Sequence, residues 1–378
     1  MSEFDTIDGY ISEGNVTIEA SMSDGNTIIE VNLSNSSTYG FSPIAPRKAI
    51  NFYDYDGTIF ASWTLAELAN ATALPTNPSH AGLTAQGWNW TLADLKTENR
   101  AIDVGQMYIT DDGKTRLYIT IAALGRMTVP LYWSQTVDSG VTIDWGDGST
   151  PETFTGTGNK NTTHVYAAIG EYIISLEVTA GVLGLGDGTA TYCVLGATST
   201  AGRVYTNMLQ KIEIGSGVTS IGTYAFQNCY SLASVIIPIS VTSIDIYAFY
   251  FCYSLASVVI PRGVTSIGAS AFAFCYSLAS VIIPISVTSI GAYAFYVCYS
   301  LASVIIPNRV TSISAYTFNT CSGMAEYHFQ RTTPPTLVNI NAFDSIPADC
   351  KIYVPMASLA AYQAATNWST YAAYMIGE

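Results

Sequence analysis

The sequence is short of charge. Asp, Glu, Lys and Arg together make up 11% of 378 residues, less than half the share usual in soluble domains. A surface made without them is largely hydroxyls, small residues and tyrosine, of which there are 26. The charge that is present is acidic, with 28 Asp and Glu against 14 Lys and Arg and a net charge of −14. That balance argues against binding a phosphate backbone and against docking on an anionic membrane. No apolar run reaches the 18 residues of a membrane-spanning helix. The start, Met1-Ser-Glu-Phe-Asp5, lacks the basic and apolar regions of a signal peptide. Either a leader has been removed or the protein leaves its cell by another route, such as lysis.

Reaction chemistry is equally scarce. The three histidines, His80, His164 and His328, are scattered, and Cys-x-x-Cys, His-Glu-x-x-His and Gly-x-Ser-x-Gly patterns are missing. Asp112-Gly-Lys-Thr115 lacks the upstream glycine of a phosphate loop. We expect no enzyme, no cofactor and no metal site. Carboxylates brought together by folding are the one catalytic arrangement that spacing does not address.

What the chain has instead is a repeat. Cys229, Cys252, Cys275, Cys298 and Cys321 stand 23 residues apart, as do Phe226, Phe249, Phe272, Phe295 and Phe318, and Pro238, Pro261, Pro284 and Pro307. A fixed period of this size marks a solenoid, whose units bury their apolar sides only by stacking. In one unit, Val235 and Ile237 alternate as a short strand ended by Pro238, which has no N–H for the next rung. Val241 to Ile244 is a second extended piece, and Tyr247-Ala-Phe249 leads a single helical turn to Cys252. The inward set is Leu232, Val235, Ile237, Val241, Ile244, Ala248, Phe249 and Cys252. The five in-register cysteines read as small buried hydrophobes, because side chains in a ladder point the same way and a disulfide needs converging ones. Cys193 and Cys350 are left over.

Elsewhere the patterns are those of strands and turns. Two alternating runs in residues 16–33 read as a hairpin with Gly25 and Asn26 between them. Ile50 to Ile59 reads as a strand with a turn at Asp56-Gly57, and Ser62 to Ala73 as a helix with Thr64 as its N-cap. Met107 to Ile121 reads as a hairpin around Asp112-Gly113. Val141-Thr-Ile-Asp-Trp-Gly-Asp-Gly-Ser149 combines a core tryptophan with two glycines suited to positive φ. Asp144 and Asp147 read as holding the turn amides; the alternative, a calcium ion, needs six or more oxygens. Gly181 to Gly202 reads as a connector with one strand, Thr191 to Leu195.

Three resemblances follow from these residues. The pattern Leu-x-x-Val-x-Ile-Pro, x-Val-Thr-x-Ile, x-x-x-Ala-Phe and x-x-Cys, met between residues 207 and 350, resembles the BspA-type (treponemal) leucine-rich repeat. Trp145-Gly-Asp-Gly-Ser149 with His164-Val-Tyr166 and Gly170-Glu-Tyr172 resembles the polycystic-kidney-disease (PKD) type β-sandwich. The Asp-Gly turn, short helix, Leu74-Pro75, Pro78 and Gly87-Trp88 resemble the β-grasp repeat of internalin-type proteins, with Ala85-Gln86 where that family has an aromatic. Together they imply a mainly β chain. A β-rich region would occupy 1–126, with the β-grasp-like segment at 49–100. A sandwich (127–180), a connector (181–205), the repeats (206–350) and a C-terminal cap (351–378) would follow.

Comparing units within the chain shows where letters change. Change falls after the strand, at Arg262-Gly263 and Asn308-Arg309, and before the cysteine, at Tyr250-Phe251, Ala273-Phe274 and Tyr296-Val297. Ser234, Ile236 and their equivalents, expected to point outward, scarcely vary. Two aromatic columns result: Tyr230, Tyr253, Tyr276 and Tyr299, and Tyr224, Tyr247, Tyr293 and Tyr316, broken at Ser270. Exposed tyrosine rows suit sugar rings or partner proteins; alternatively they only stack on themselves. Tyr230, Tyr253, Tyr276, Tyr299, Tyr247 and Tyr293 with Arg262 and Arg309 form the expected ligand-binding set, while Lys211, Arg262 and Arg309 also read as ordinary solvated charges. The resemblances imply a non-catalytic adhesion or receptor-binding protein facing a cell-surface glycan or protein. The absence of a leader suggests a phage tail-fibre-like virion protein, with a bacterial cell-surface adhesin and a structural spacer or assembly subunit as alternatives. Other surface or virion subunits, and a second copy of the chain, are its remaining expected partners.

Overall fold

The computed structural model describes residues 16–23, 26–33, 50–98, 102–136, 140–178, 182–186, 192–197 and 203–378. The chain divides into two compact units, 1–48 and 49–378. The first holds the antiparallel pair Val16–Ser23 and Asn26–Leu33, in which Asn26 pairs with Ser23 rather than standing in the turn. Residue 25 lies outside the described residues.

In the second unit a four-stranded mixed sheet comes first. Its outer strands are Ile59–Trp63 and Leu83–Trp88, with Ile50–Tyr53 and Ile102–Thr110 parallel between them. The helix expected from Ser62 is shorter, Leu65–Asn70, because Ser62 and Trp63 pair with Ile50–Tyr53. Thr64 caps it, in a reciprocal pair with Glu67. A second helix, Leu92–Glu98, was not foreseen. Both helices bury a leucine, Leu68 and Leu95, against Phe52, Trp88 and Trp90.

The hairpin expected at Asp112-Gly113 does not form, although the turn does: Gly113 has φ +72° and donates to Thr110. Ile102–Thr110 stays in the first sheet, while Thr115–Ile121 pairs with Gly170–Val178 and with Leu209–Glu213. Alternation shows that a strand exists; the partner is chosen by which apolar faces meet. A boundary at residue 126 therefore cuts across this sheet. It also contains Val141–Asp144 and Glu152–Phe154, and faces a three-stranded sheet of Thr128–Gln135, Gly158–Val165 and Leu183–Leu185. Trp133 and Trp145 fill the space between. The expected connector is part of this body. Leu183–Leu185 pairs with Thr128–Gln135, Tyr192–Cys193 pairs with Gly196–Ala197, and Val194 and Leu195 are buried.

Leu209–Glu213 joins sandwich to solenoid, antiparallel to Thr115–Ile121 on one side and parallel to Ser234–Ile236 on the other. From there each coil has three sides. One is the parallel row Ser234–Ile236, Ser257–Val259, Ser280–Ile282, Ser303–Ile306 and Glu326–Phe329, prolonged by Lys351–Val354 and Met375–Gly377. The second is a six-stranded parallel row of five Ser-Ile pairs, from Ser220–Ile221 to Ser312–Ile313, closed by Thr336–Leu337. The third replaces the expected helical turn. Ala248, Tyr250 and Cys252 close tight turns onto residues three earlier, while Tyr247, Phe249 and Phe251 donate across to Ala269, Ala271 and Ala273 of the next coil. Tyr247 and Phe251 consequently have positive φ, as do their equivalents.

The inward set is buried as expected, and Phe226, Phe249, Phe272, Phe295 and Phe318 stack with centroids 5.1–5.4 Å apart. Burying each such side chain contributes about 1.5–3 kcal/mol. All seven cysteines are free and buried. The thiols of Cys252, Cys275, Cys298 and Cys321 each donate to the phenylalanine carbonyl of the previous coil, at 3.2–3.3 Å. Burial raises the pKa of Cys275 well above that of a free thiol and that of Cys321 to about 12. Cys193 lies beside Cys229, and Cys350 neighbours Cys321, so the two unassigned cysteines extend the file at its ends.

Candidate binding face

The strand side of the solenoid is closed by the chain itself. Ile236, expected to point outward, is buried with Leu83 and Tyr108 of the first sheet. Ser257 Oγ donates to the Tyr55 carbonyl at 3.1 Å, and Asn89 Nδ2 to the Ile260 carbonyl at 3.2 Å. A Cβ on Gly105 would lie 2.3 Å from Val259 Cγ1, so only glycine lets the two layers meet. Ile285 packs on the cluster around Trp88, and Asn308 donates to Glu98. The near-invariance of the outward strand letters thus has a cause: they form an internal interface.

The turn side is different. Tyr230, Tyr253, Tyr276 and Tyr299 stack face to face, with centroids 4.7, 4.5 and 5.1 Å apart. Tyr224 stacks on Tyr247 at 5.0 Å and Tyr293 on Tyr316 at 4.7 Å. The break at Ser270 is bridged by residues that counting columns missed. Tyr247 meets Tyr250, Tyr250 meets Phe274, Phe274 meets Tyr296 and Tyr296 meets Tyr293, all edge to face within 5.5 Å. Phe251 links the two columns, 5.7 Å from Tyr253. The signal for these residues was the change of letters before each cysteine.

The layer is partly open, with Tyr293 exposed by 38% and Tyr299 by 45%. Partial burial raises the phenol pKa of Tyr250, and that of Tyr276 next to Tyr253. These two phenols therefore stay neutral at physiological pH, and the layer presents apolar ring faces with hydroxyl tips.

The arginines do not join them. Arg262 and Arg309 stand after Pro261 and Pro307, at the opposite end of the strand from the tyrosines, and both are exposed. Lys211, expected to be solvated, is engaged: it pairs with Glu213 at 2.8 Å and lies 5.0 Å from the Tyr118 ring centroid.

The remaining candidates are structural. Asp144 accepts from Gly146 N–H and Asp147 from Ser149 N–H, as expected, and Asp147 also meets His164 at 2.7 Å. Burial opposes ionisation of Asp147, but the bonds from Ser149 and His164 outweigh it and lower its pKa to about 2. His164 stacks on Trp145, so this pair clamps the turn onto the core. Half-buried His80 and buried Asp54 and Tyr108 make a similar knot, at 2.7 and 2.9 Å.

The model of the BspA type leucine rich repeat region matches residues 204–344 in six copies. No curated protein matches the chain. Among solved structures it is similar to the leucine-rich repeat protein of T. pallidum, at 39% identity over 30% of this chain and 53% of that one, with a TM-score of 0.29. A leucine-rich repeat protein from Bacteroides ovatus matches at 26% identity over 39% and 50%, with a TM-score of 0.31. A leucine-rich cell surface protein from Faecalibacterium prausnitzii matches at 21% identity over 42% and 76%, with a TM-score of 0.22. The chain spans about half the length of the first two. Its residues 204–344 are a BspA-type leucine-rich repeat region.

Proposed function

We propose that this chain is a non-catalytic adhesin of the bacterial cell surface, and that it binds a surface glycan or protein through the aromatic turn side of its solenoid. One observation carries the reading. Tyr224, Tyr247, Tyr293 and Tyr316 occupy left-handed backbone positions, at φ between +57° and +62°, where glycine is cheaper by roughly 1–2 kcal/mol. Strained positions filled with large side chains point to a use beyond the fold. The neighbouring Tyr230 column lies on the same side, whereas the opposite strand side is occupied by the first sheet. Rigid tyrosines offer large contact area at little entropic cost. Of the readings implied by the sequence, the repeat family favours the cell-surface adhesin; no observation favours a tail fibre, and that reading is not carried further.

The test is binding of the labelled full chain to epithelial and bacterial cells and to a glycan array. The Tyr276→Ser/Tyr299→Ser variant is compared with wild type. We expect a loss of binding of at least about tenfold, as for interface tyrosines, with an unchanged circular dichroism spectrum. Equal binding by variant and wild type would reduce the columns to a structural stack. Silence of the wild type on every surface would remove the adhesin reading.

A further inference from the structure

At the far end of the solenoid the corner after the strand opens into a cleft of about 490 Å³. Asn308, Arg309, Thr311, Gln330, Arg331, Thr332 and Thr333 line it. Arg331 stands one period after Asn308, at the position that Ile239, Arg262 and Ile285 hold in earlier coils. The loop that follows carries an extra residue, since Ser312 pairs with Thr336, 24 positions on.

Cations are rare in this chain, 14 in 378 residues. Several others have carboxylate partners: Lys114 with Glu177 at 2.9 Å, Arg116 with Asp112 at 2.6 Å and Lys211 with Glu213 at 2.8 Å. Among the described residues, Arg309 and Arg331 make no ion pair, although both line the same cleft. Arg331 is held in place by one bond, from Nη1 to the Asn308 carbonyl at 2.9 Å, and its Nε–H is buried without an acceptor. Glu98 accepts from Asn308 Nδ2 at the edge of this lining.

We propose that this cleft binds the carboxylate of an acidic sugar, a hexuronate unit of a surface polysaccharide. The exposed guanidinium of Arg309 presents paired donors that match a planar carboxylate, and Arg331, fixed by its Nη1 bond to Asn308, adds its remaining Nη donors. Thr311, Thr332 and Thr333 ring the site with hydroxyls, and Asn308 adds an amide, a lining suited to the hydroxyls of a pyranose. The lining holds no aromatic and no aliphatic side chain larger than threonine, which disfavours an apolar peptide anchor. The inference goes beyond the adhesin reading: it names a ligand class at a site separate from the tyrosines.

The test is isothermal titration of the full chain with trigalacturonate, with the neutral galactose trimer, and with a short peptide carrying a free C-terminal carboxylate. We expect binding of trigalacturonate alone, weakening as NaCl is raised. Arg309→Gln and Arg331→Gln should each lower the affinity by at least about tenfold. Arg331→Lys, which keeps the charge and loses the fork, should fall with Arg331→Gln, and Arg126→Gln, a distant exposed arginine, should bind as wild type. Binding of the neutral trimer or the peptide as tightly as the uronate would overturn the proposal, as would no uronate binding or no effect of Arg309→Gln. The two readings separate by experiment: a wild type that adheres to cells but does not bind trigalacturonate refutes only the uronate site, whereas a wild type that adheres to nothing refutes the adhesin.

Discussion

The sandwich half and the solenoid half turn their corners by opposite means. From Gly57 to Gly196 every described residue with positive φ is a glycine; from Tyr224 to Asn367 none is. In the sandwich each reversal is local. Gly146 has φ +75°, and a Cβ there would sit 2.4 Å from the Ile173 carbonyl oxygen, so backbone and packing both demand glycine. In the solenoid the reversal is imposed from outside. Tyr247 and Phe251 donate to Ala269 and Ala273 of the next coil, both at 3.0 Å, and that ladder holds them left-handed. What repetition secures for the fold, each coil is free to use for display, and the left-handed positions carry tyrosine, phenylalanine, serine, valine, threonine or asparagine.

The comparison breaks first at the core. Phe272 is fully buried between Phe249 and Phe295, at 5.2 and 5.4 Å. Phe272→Ala should cost about 3–5 kcal/mol. Because coils stack in one dimension, the loss should spread to neighbouring coils before it reaches the sandwich. Hydrogen exchange of the full chain would show amides of 226–320 speeding up while those of 128–178 hold. Uniform acceleration would mean that the halves unfold as one.

Gly146→Ala tests the other half. The left-handed backbone and the Ile173 contact together should cost at least about 2 kcal/mol, read as a lower denaturant midpoint with exchange rising in 128–178. A neutral outcome would show that the turn has another conformation open to it.

How much of this could be read beforehand follows the same division. The 23-residue period displayed the solenoid core, down to Cys252 and Phe249, because each letter is repeated under one constraint. The failures concern partners. Met107 to Ile121 reads as a hairpin, yet its strands enter different sheets, since alternation describes a face and not what covers it. Ile236 reads as outward, and geometrically it is; the first sheet buries it, which no pattern within the repeat records. The tyrosine columns were legible as columns. Their bridging by Tyr250, Phe274 and Tyr296 was not, because Phe274 stands one place later in its unit than Tyr250 and Tyr296 do in theirs, and the three meet only across coils. The Arg309 and Arg331 cleft needed the parallel register that sets coil upon coil.

The C-terminal end offers a sharper comparison, between the neutral ladder and a charged closure. Buried His328 stacks on Tyr353 at 4.6 Å, and its ring nitrogens meet Glu378 at 3.1 Å and Glu326 at 3.2 Å. Burial alone would depress its pKa, but the bonds and charges of Glu378 and Glu326 outweigh this and raise it. A raised folded-state pKa means that the stabilisation is complete below the unfolded value, about 6.5, and is lost as pH rises through the folded value. The wild-type melting midpoint should therefore fall relative to His328→Gln between pH 6 and pH 9. Parallel curves would show that the closing strands do not depend on this charge.

The smallest effect separates the turn rules most directly. Ser270 is left-handed at φ +54°, is buried, and interrupts the column of Tyr224, Tyr247, Tyr293 and Tyr316. Replacing it with glycine relieves roughly 1–2 kcal/mol of backbone strain and returns about 0.5–1 kcal/mol through the greater entropy of the unfolded chain. Ser270→Gly should thus stabilise by about 0.5 kcal/mol, seen as a slightly higher denaturant midpoint with an unchanged slope. That sign is the informative part, because glycine replaces a residue inside a regular ladder, where it ordinarily weakens the fold. A drop instead would mean that the inter-coil bond from Ser270 N–H to Ala292, at 2.9 Å, makes the left-handed state nearly free of strain. The tyrosines at equivalent positions would then need no use beyond the fold to account for them.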